Sequence, residues 1–360
     1  MKHFYLIGLT IFISFSSLYG NTISESKAYS KTFATNSNST LEISNKYGDI
    51  ELLAWDKDSI KFEVEVTAVT DDYSNTMDLL EAIKINFQSA GSFVIAETDW
   101  SEELNMFRKG WYELGQSFSG QDRITVNYKV YCPANISVDL TNKFGNIFLG
   151  NHQGEMSIDL SHGDLRARNI NNNRCKVAYG KVRVKEINGG RCEFSYLEHT
   201  QIEVLNKVRL KSNSSDIDVQ EAIKVELDSR HDDLSFEEAD QINIEASLSD
   251  IYIGDLEELI AFTGKFGSLN IDRITASCES VVIKGSSTDV SVKFAPTWKG
   301  GLHAELISCK GHLLSHSELG DSIGEELIDK TESIQCSFNG LLEVRAVINM
   351  KGGFLNVGES

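Results

Sequence analysis

The chain has 360 residues, 41% of them hydrophobic, and carries 53 acidic against 34 basic side chains, a formal charge of −19. That apolar content supports a real core and argues against global disorder. The acidic excess argues against a general nucleic-acid binder, whose phosphate contacts need positive surface, and with only two prolines, Pro133 and Pro296, a proline-rich stalk is excluded.

Residues 1–20 read as a secretory signal peptide. Lys2 and His3 make a short basic start, Phe4 to Phe15 is apolar apart from Gly8, Thr10 and Ser14, and Ser16, Ser17 and Gly20 supply small residues near a cleavage point. The run is short for a membrane anchor, no cysteine follows that would take a lipid, and no later stretch reaches transmembrane length. The expectation is an exported protein (periplasmic, surface or secreted) with no membrane span after cleavage.

Residues 21–55 hold an N-terminal segment and a first rung, in which Leu41, Ile43, Ile50 and Leu52 alternate with polar residues. The chain then departs from that pattern. Ile60, Phe62, Val64, Val66 and Ala68 alternate as a half-buried strand. Asp72 to Ile83 looks helical, with Met77, Leu80 and Ile83 on one face and Ser74 as the N-cap. Strands follow at 83–87, 93–98 and 123–131. Residues 56–135 are thus expected to form a small α+β insertion that covers an end of the repeat, since an open end exposes unpaired strand edges. Residues 99–121 carry Trp100, Phe107, Trp111, Tyr112 and Phe118, which suit packing against the cap better than a sugar-binding surface.

From 136 to 295 the sequence repeats. Ile147, Leu165, Val182, Thr200, Ile217, Leu234, Ile251 and Leu269 form one ladder, and Leu149, Ala167, Val184, Ile202, Val219, Phe236, Ile253 and Ile271 a second. A third runs Leu140, Ile158, Cys175, Cys192, Leu210, Leu227, Ile244, Phe262, and a fourth runs Ile170, Ile187, Leu205, Ala222, Ala239, Leu256, Ile274. Steps are 17 or 18 residues and only Thr200 is polar. A coil that short is below the roughly 30 residues of a βαβ unit, and one turn type, often aromatic-Gly-polar, recurs every period. The expected fold is all-β: a parallel β-solenoid of about 17-residue two-strand coils, with residues 296–360 as irregular C-terminal coils and cap.

Leu41–Trp55, with Tyr128–Pro133 leading into Asn142–Ile147, resembles a bacterial family of exported β-strand-repeat proteins of unknown function, similar in turn to the auto-transporter adhesin head (GIN) domains common in Bacteroidetes. The resemblance covers about residues 30–290. It implies a fold and an adhesin-like setting, and it brings no catalytic residues to transfer.

Candidate chemistry is sparse. Asp216, Asp233 and Asp250 fall at one turn position on consecutive coils. Stacked carboxylates suit Ca²⁺, and Asp equally suits tight turns. Cys175 and Cys192 lie one coil apart in an inward ladder, as core hydrophobes or as a disulfide pair. His312 and His316 have helical spacing without the glutamate of a zinc protease, and no nucleophile elbow, P-loop or dinucleotide fingerprint occurs. Outward positions on the early coils are basic. Arg166, Arg168, Arg183 and Lys185 share one face, and Arg174, Arg191 and Arg209 the other, with Glu186, Glu193 and Glu203 near enough to compensate. They would suit an anionic glycan or an envelope protein. The expected function is a non-enzymatic adhesin or scaffold of the cell envelope or surface, with no cofactor. The alternative is a polysaccharide-binding or polysaccharide-degrading β-helix enzyme.

Overall fold

A computed structural model describes residues 22–100, 123–313, 326–327, 332–338 and 343–360. The signal-peptide reading, Phe107, Trp111, Tyr112, Phe118, His316 and part of the expected C-terminal cap lie outside the described residues. The chain is all-β, with one helix among the described residues. No described helix is long and apolar enough to cross a membrane. The chain divides into two compact units, 1–171 and 172–360.

In the first unit the rung formed by Thr40–Lys46 and Ile50–Trp55 has neighbours on both edges. On one edge Thr40–Lys46 pairs in parallel with Ser137–Lys143, and Ile50 and Leu52 pair with Ile147 and Leu149. On the other edge it pairs, again in parallel, with Phe93–Trp100 and Arg123–Pro133. Antiparallel strands then finish that edge: Ile83–Ala90 lies on Phe93–Trp100, and Ser59–Thr70 lies on Arg123–Pro133. Ile23–Ala34, for which the sequence predicts no element, is a twelve-residue strand antiparallel to Ser59–Thr70. The helix runs Tyr73–Glu81. Its cap is Asp72, not Ser74, because the Asp72 carboxylate accepts the Asn75 amide and an extended cap residue can present its side chain to the first turn.

In the second unit the register follows the ladders. Cys192 pairs with Leu210, Leu210 with Leu227, and Leu227 with Ile244. Thr200 pairs with Ile217, Val184 with Ile202, and Ile202 with Val219. Every ladder residue is buried except Ala167, which is half-buried. Alternation at period two places these side chains on one face, and parallel stacking sets like beside like.

The C-terminal coil does not follow in sequence order. Val344–Lys351 and Phe354–Glu359 pair in parallel with Ser280–Phe294 on one edge and with Gly300–Ile307 and Lys310–Leu313 on the other. The last segment of the chain therefore sits between two sets of strands that precede it. Antiparallel strands Glu332–Phe338 and Glu326–Leu327 lie beyond, against Gly300–Ile307 and Lys310–Leu313.

Candidate functional site

The turn preceding each ladder is built on a strained residue. Tyr47, Phe144 and His162 in the first unit, and Tyr179, Tyr196, Ser214, His231, Leu248, Phe266, Ser287 and Ser308 in the second, all have φ between 52° and 63°. A side chain in that left-handed region costs about 1–2 kcal/mol. Ring stacking offsets part of this: Tyr47 stacks on Phe144 at 5.2 Å, Phe144 on His162 at 4.7 Å, and Tyr179 on Tyr196 at 4.8 Å. The rings lie face to face along each column, so most faces a sugar would need are already covered. Trp100 meets Tyr47 edge-on at 5.2 Å.

Two devices join successive turns. In the first unit the next residue is glycine, since a Cβ at Gly145 would stand 1.9 Å from the Gly48 carbonyl oxygen and one at Gly163 would stand 2.0 Å from that of Gly145. The residue after the glycine bridges to the neighbouring turn: Asp49 Oδ1 accepts the Asn146 amide at 2.7 Å, and Asn146 Oδ1 accepts the Asp164 amide at 2.9 Å. At three consecutive turns of the second unit the glycine position becomes Ser215, Asp232 and Ser249, and these make the bridge, before Gly267 returns to the close approach, where a Cβ would stand 2.1 Å from the Ser249 carbonyl oxygen. Ser215 Oγ accepts the Leu197 amide, Asp232 Oδ1 that of Ser215, and Ser249 Oγ that of Asp232. Asp232 Oδ2 also accepts from the Ser229 hydroxyl and the Arg230 amide. Burial still pushes its carboxyl above the usual range, against the pull of those hydrogen bonds.

Asp216, Asp233 and Asp250 lie one residue further along and face outward. Asp216 and Asp233 are register partners, Asp216 contacts His199 Nδ1 at 3.3 Å, and Asp250 accepts from the Ser268 hydroxyl. Desolvation first, then the charges of Asp216, Asp250 and Asp218, raise the Asp233 pKa. Among the described residues no group of three or more His, Cys, Asp or Glu is arranged to hold a metal ion.

The basic positions divide between the units. Arg166 and Arg168 are exposed in the first, where Arg166 is 3.9 Å from Asp164. Arg183, Lys185, Arg174, Arg191 and Arg209 are exposed in the second. There Arg174, Arg191 and Arg209 are consecutive register partners. The column changes sign at the next coil, where Arg209 Nε meets Glu226 at 2.7 Å. Beside it Glu193 stands in register between Lys176 and Lys211, and Lys211 reaches Asp228 at 3.6 Å. Lys185 is 3.9 Å from Glu203, while Glu186 accepts from Asn188. Compensation therefore comes along the columns from the following coil, with Glu226 and Asp228 as members that the sequence reading missed. Shifting their registers by 17 residues from Arg209 and Lys211 would have found them.

A shallow depression of about 840 Å³ in the second unit is lined by Tyr252, Asp255, Asp272, Arg273, Lys293 and Glu359, among others. Four of its charges are committed to one another: Tyr252 donates to Asp272 at 2.7 Å, Lys293 meets Asp272 at 3.0 Å, and Arg273 pairs with Asp255. The Tyr252 and Lys293 hydrogen bonds hold the Asp272 carboxyl below the ordinary carboxylate range. A general acid for glycoside cleavage needs the opposite displacement.

No protein-family model and no curated protein sequence matches the chain. Among solved structures, a protein of Clostridium sporogenes provisionally named a cell adhesion protein aligns over 93% of this chain and 100% of its own, at 8% identity and a TM-score of 0.18. A protein of Parabacteroides distasonis provisionally named lipid-binding aligns over 74% and 93%, at 12% identity and a TM-score of 0.29. One of Parabacteroides merdae provisionally named an adhesin aligns over 74% and 92%, at 13% identity and a TM-score of 0.24. The adhesin-head resemblance read from the turns thus has no family model behind it, and adhesin names recur among distant structural neighbours.

Proposed function

We propose that the protein is an exported, non-enzymatic scaffold of the cell envelope or surface, built as a stacked-coil solenoid, which holds an anionic glycan along the Arg174, Arg191 and Arg209 column. The register of those three guanidinium groups carries the reading. Parallel neighbours lie about 4.8 Å apart, and Arg presents a planar fork suited to carboxylate or sulfate. Like charges at that spacing repel. The chain keeps three in a row before Glu226 closes the column, an arrangement that an anion spanning the three coils would stabilise. The start of the sequence supports export, and the mutual pairing of Asp255 and Asp272 with cations favours structure over catalysis in the depression beside them.

Retention on an immobilised uronate polysaccharide should be measured across a salt gradient. The wild type should bind at low salt and elute well below 1 M, since exposed charges are screened within about 8 Å at physiological ionic strength. A triple change of Arg174, Arg191 and Arg209 to Ser should remove retention while leaving thermal melting in place. Release of reducing ends from the same polysaccharide would favour the degrading-enzyme alternative, and wild-type flow-through at low salt would sink the glycan assignment.

A further inference from the structure

We propose that Cys175 and Cys192 form a disulfide that joins two successive coils of the second unit. The residues are direct register partners on parallel strands, both fully buried, in a column that continues to Leu210. The structure carries them as two thiols close enough for one to hydrogen-bond the other. Neighbouring parallel strands stand about 4.8 Å apart, inside the roughly 4.4–6.8 Å Cα separation of disulfides. From that spacing the Cβ atoms need to approach by about 1 Å to reach the usual separation near 3.8 Å. Each of the other cysteines whose side chain is described has different company. Cys132 is in register with Ala54, Cys278 faces the Ser280 carbonyl, and Cys309 faces those of Ile307 and Gly352.

The position gives the bond a task. Arg174 and Arg191 immediately precede the two cysteines and are themselves register partners. A covalent link one residue away holds the two strands together against the repulsion of those charges. It also fixes the spacing of the proposed anion column, a consequence that rests on the function proposed above.

The chemistry is a two-electron oxidation. Two S–H bonds break and one S–S bond forms, while two electrons and two protons pass to the disulfide of a thiol oxidoreductase or to glutathione disulfide, which leaves as two thiols. Attack requires a thiolate. In the closed core the hydrogen bond between the thiols and their burial raise the Cys192 pKa well above its ordinary value. Exchange therefore takes place while strand Arg191–Leu197 is still undocked. An exported chain meets a suitable oxidant during that interval.

Two full-chain samples separate the pairing from the export reading. Reduced, denatured protein refolded in a glutathione redox buffer tests the geometry alone. Alkylation after denaturation should then block four of the six cysteines, and a non-reducing digest should contain a Cys175–Cys192 linked peptide that dithiothreitol splits. Cys192→Ala should fold and leave all five remaining thiols reactive. The oxidised wild type should unfold at a higher urea concentration than the reduced one. Six reactive thiols after refolding, or a linkage involving any other cysteine, overturns the proposal. Linkage in the refolded sample with six thiols in protein recovered from its own cells leaves the pairing standing and overturns the export reading.

Discussion

The turns of the first unit and three consecutive turns of the second stack by different means, and the difference shows what each tolerates. In the first unit the backbones themselves approach, with glycine at Gly48, Gly145 and Gly163 and the bridge made from the following Asp or Asn. In the second, Ser215, Asp232 and Ser249 occupy the same turn position and bridge with their own side chains. The first solution has no room for a Cβ. The second buries polar atoms, and its stability depends on keeping each of them bonded. The interiors differ in the opposite sense. The first unit buries Asn45, Thr98 and Tyr128 as one network, in which the Thr98 hydroxyl meets Asn45 Oδ1 at 2.9 Å and the Tyr128 hydroxyl at 2.8 Å, whereas the corresponding level of the second unit holds Val177 and Phe194 before it turns to serine.

The heaviest blow to the second unit should come from a charge in its apolar columns. Val184→Asp and Ile253→Asp should each cost about 3–5 kcal/mol in urea unfolding, because an unpaired carboxylate enters a closed core. Arg183→Asp, one residue away and exposed, should stay within about 0.5 kcal/mol. Tyr252→Asp should fall between them, since it replaces the donor to Asp272 with a second negative charge. Equal midpoints across these variants would remove the inward–outward assignment.

The turn devices can be exchanged directly. Gly145→Ala should destabilise by about 3 kcal/mol, because its Cβ meets backbone rather than a movable side chain. Ser215→Ala should cost only about 1 kcal/mol, and Asp232→Ala about 2–3 kcal/mol, since it removes the acceptor of both the Ser215 and the Arg230 amides, while the Ser229 hydroxyl keeps Ser249 as a partner. If Gly145→Ala proved as mild as Ser215→Ala, the two turns would not differ in the way their contacts imply.

Thr200 is the polar residue in an otherwise apolar ladder, and its buried hydroxyl has no hydrogen-bond partner. Thr200→Val keeps the shape and removes the unmet group, so it should raise stability by about 1 kcal/mol. A loss of stability on chemical denaturation would mean that the hydroxyl is satisfied in solution.

The smallest effect is a divergence with pH. In the first unit, burial lowers the pKa of His152, whose Nε2 contacts the Ile136 carbonyl. Its unfolded form binds protons more readily, so stability is lost as pH falls below about 6.5. In the second unit Asp232, Asp233, Glu238 and Asp240 are all raised, chiefly by desolvation. Their folded forms take up protons first, so these groups favour the folded state increasingly as pH falls toward about 4. Hydrogen exchange at pH 7 and pH 5, corrected for intrinsic rates, should show weaker protection around His152 and equal or stronger protection over 216–258. His152→Asn should flatten the first trend and Asp232→Asn the second.

The residues alone determined the strands of the repeat, its period and the facing of its side chains. Alternation at period two identifies the buried face wherever it occurs, and a step of 17 or 18 residues identifies which side chains share a column. Ile217, Leu234 and Ile251 could be aligned without coordinates for that reason, as could Arg174, Arg191 and Arg209. The recurring turn was visible as aromatic-Gly-polar, although its left-handed residue was hidden where Ser214 or Leu248 takes the place of the aromatic. Only the tertiary structure decided which edges meet. An in-register edge satisfies backbone hydrogen bonds whatever its distance along the chain, so nothing local told Ile23–Ala34 to lie on Ser59–Thr70, or Val344–Glu359 to enter between two earlier sets of strands. The first of these choices closes an edge of a parallel stack with an antiparallel strand. The same contacts set the final partners of the charges, such as Glu226 for Arg209, because an exposed ion pair is too weak to choose a fold and forms only after the coils have stacked.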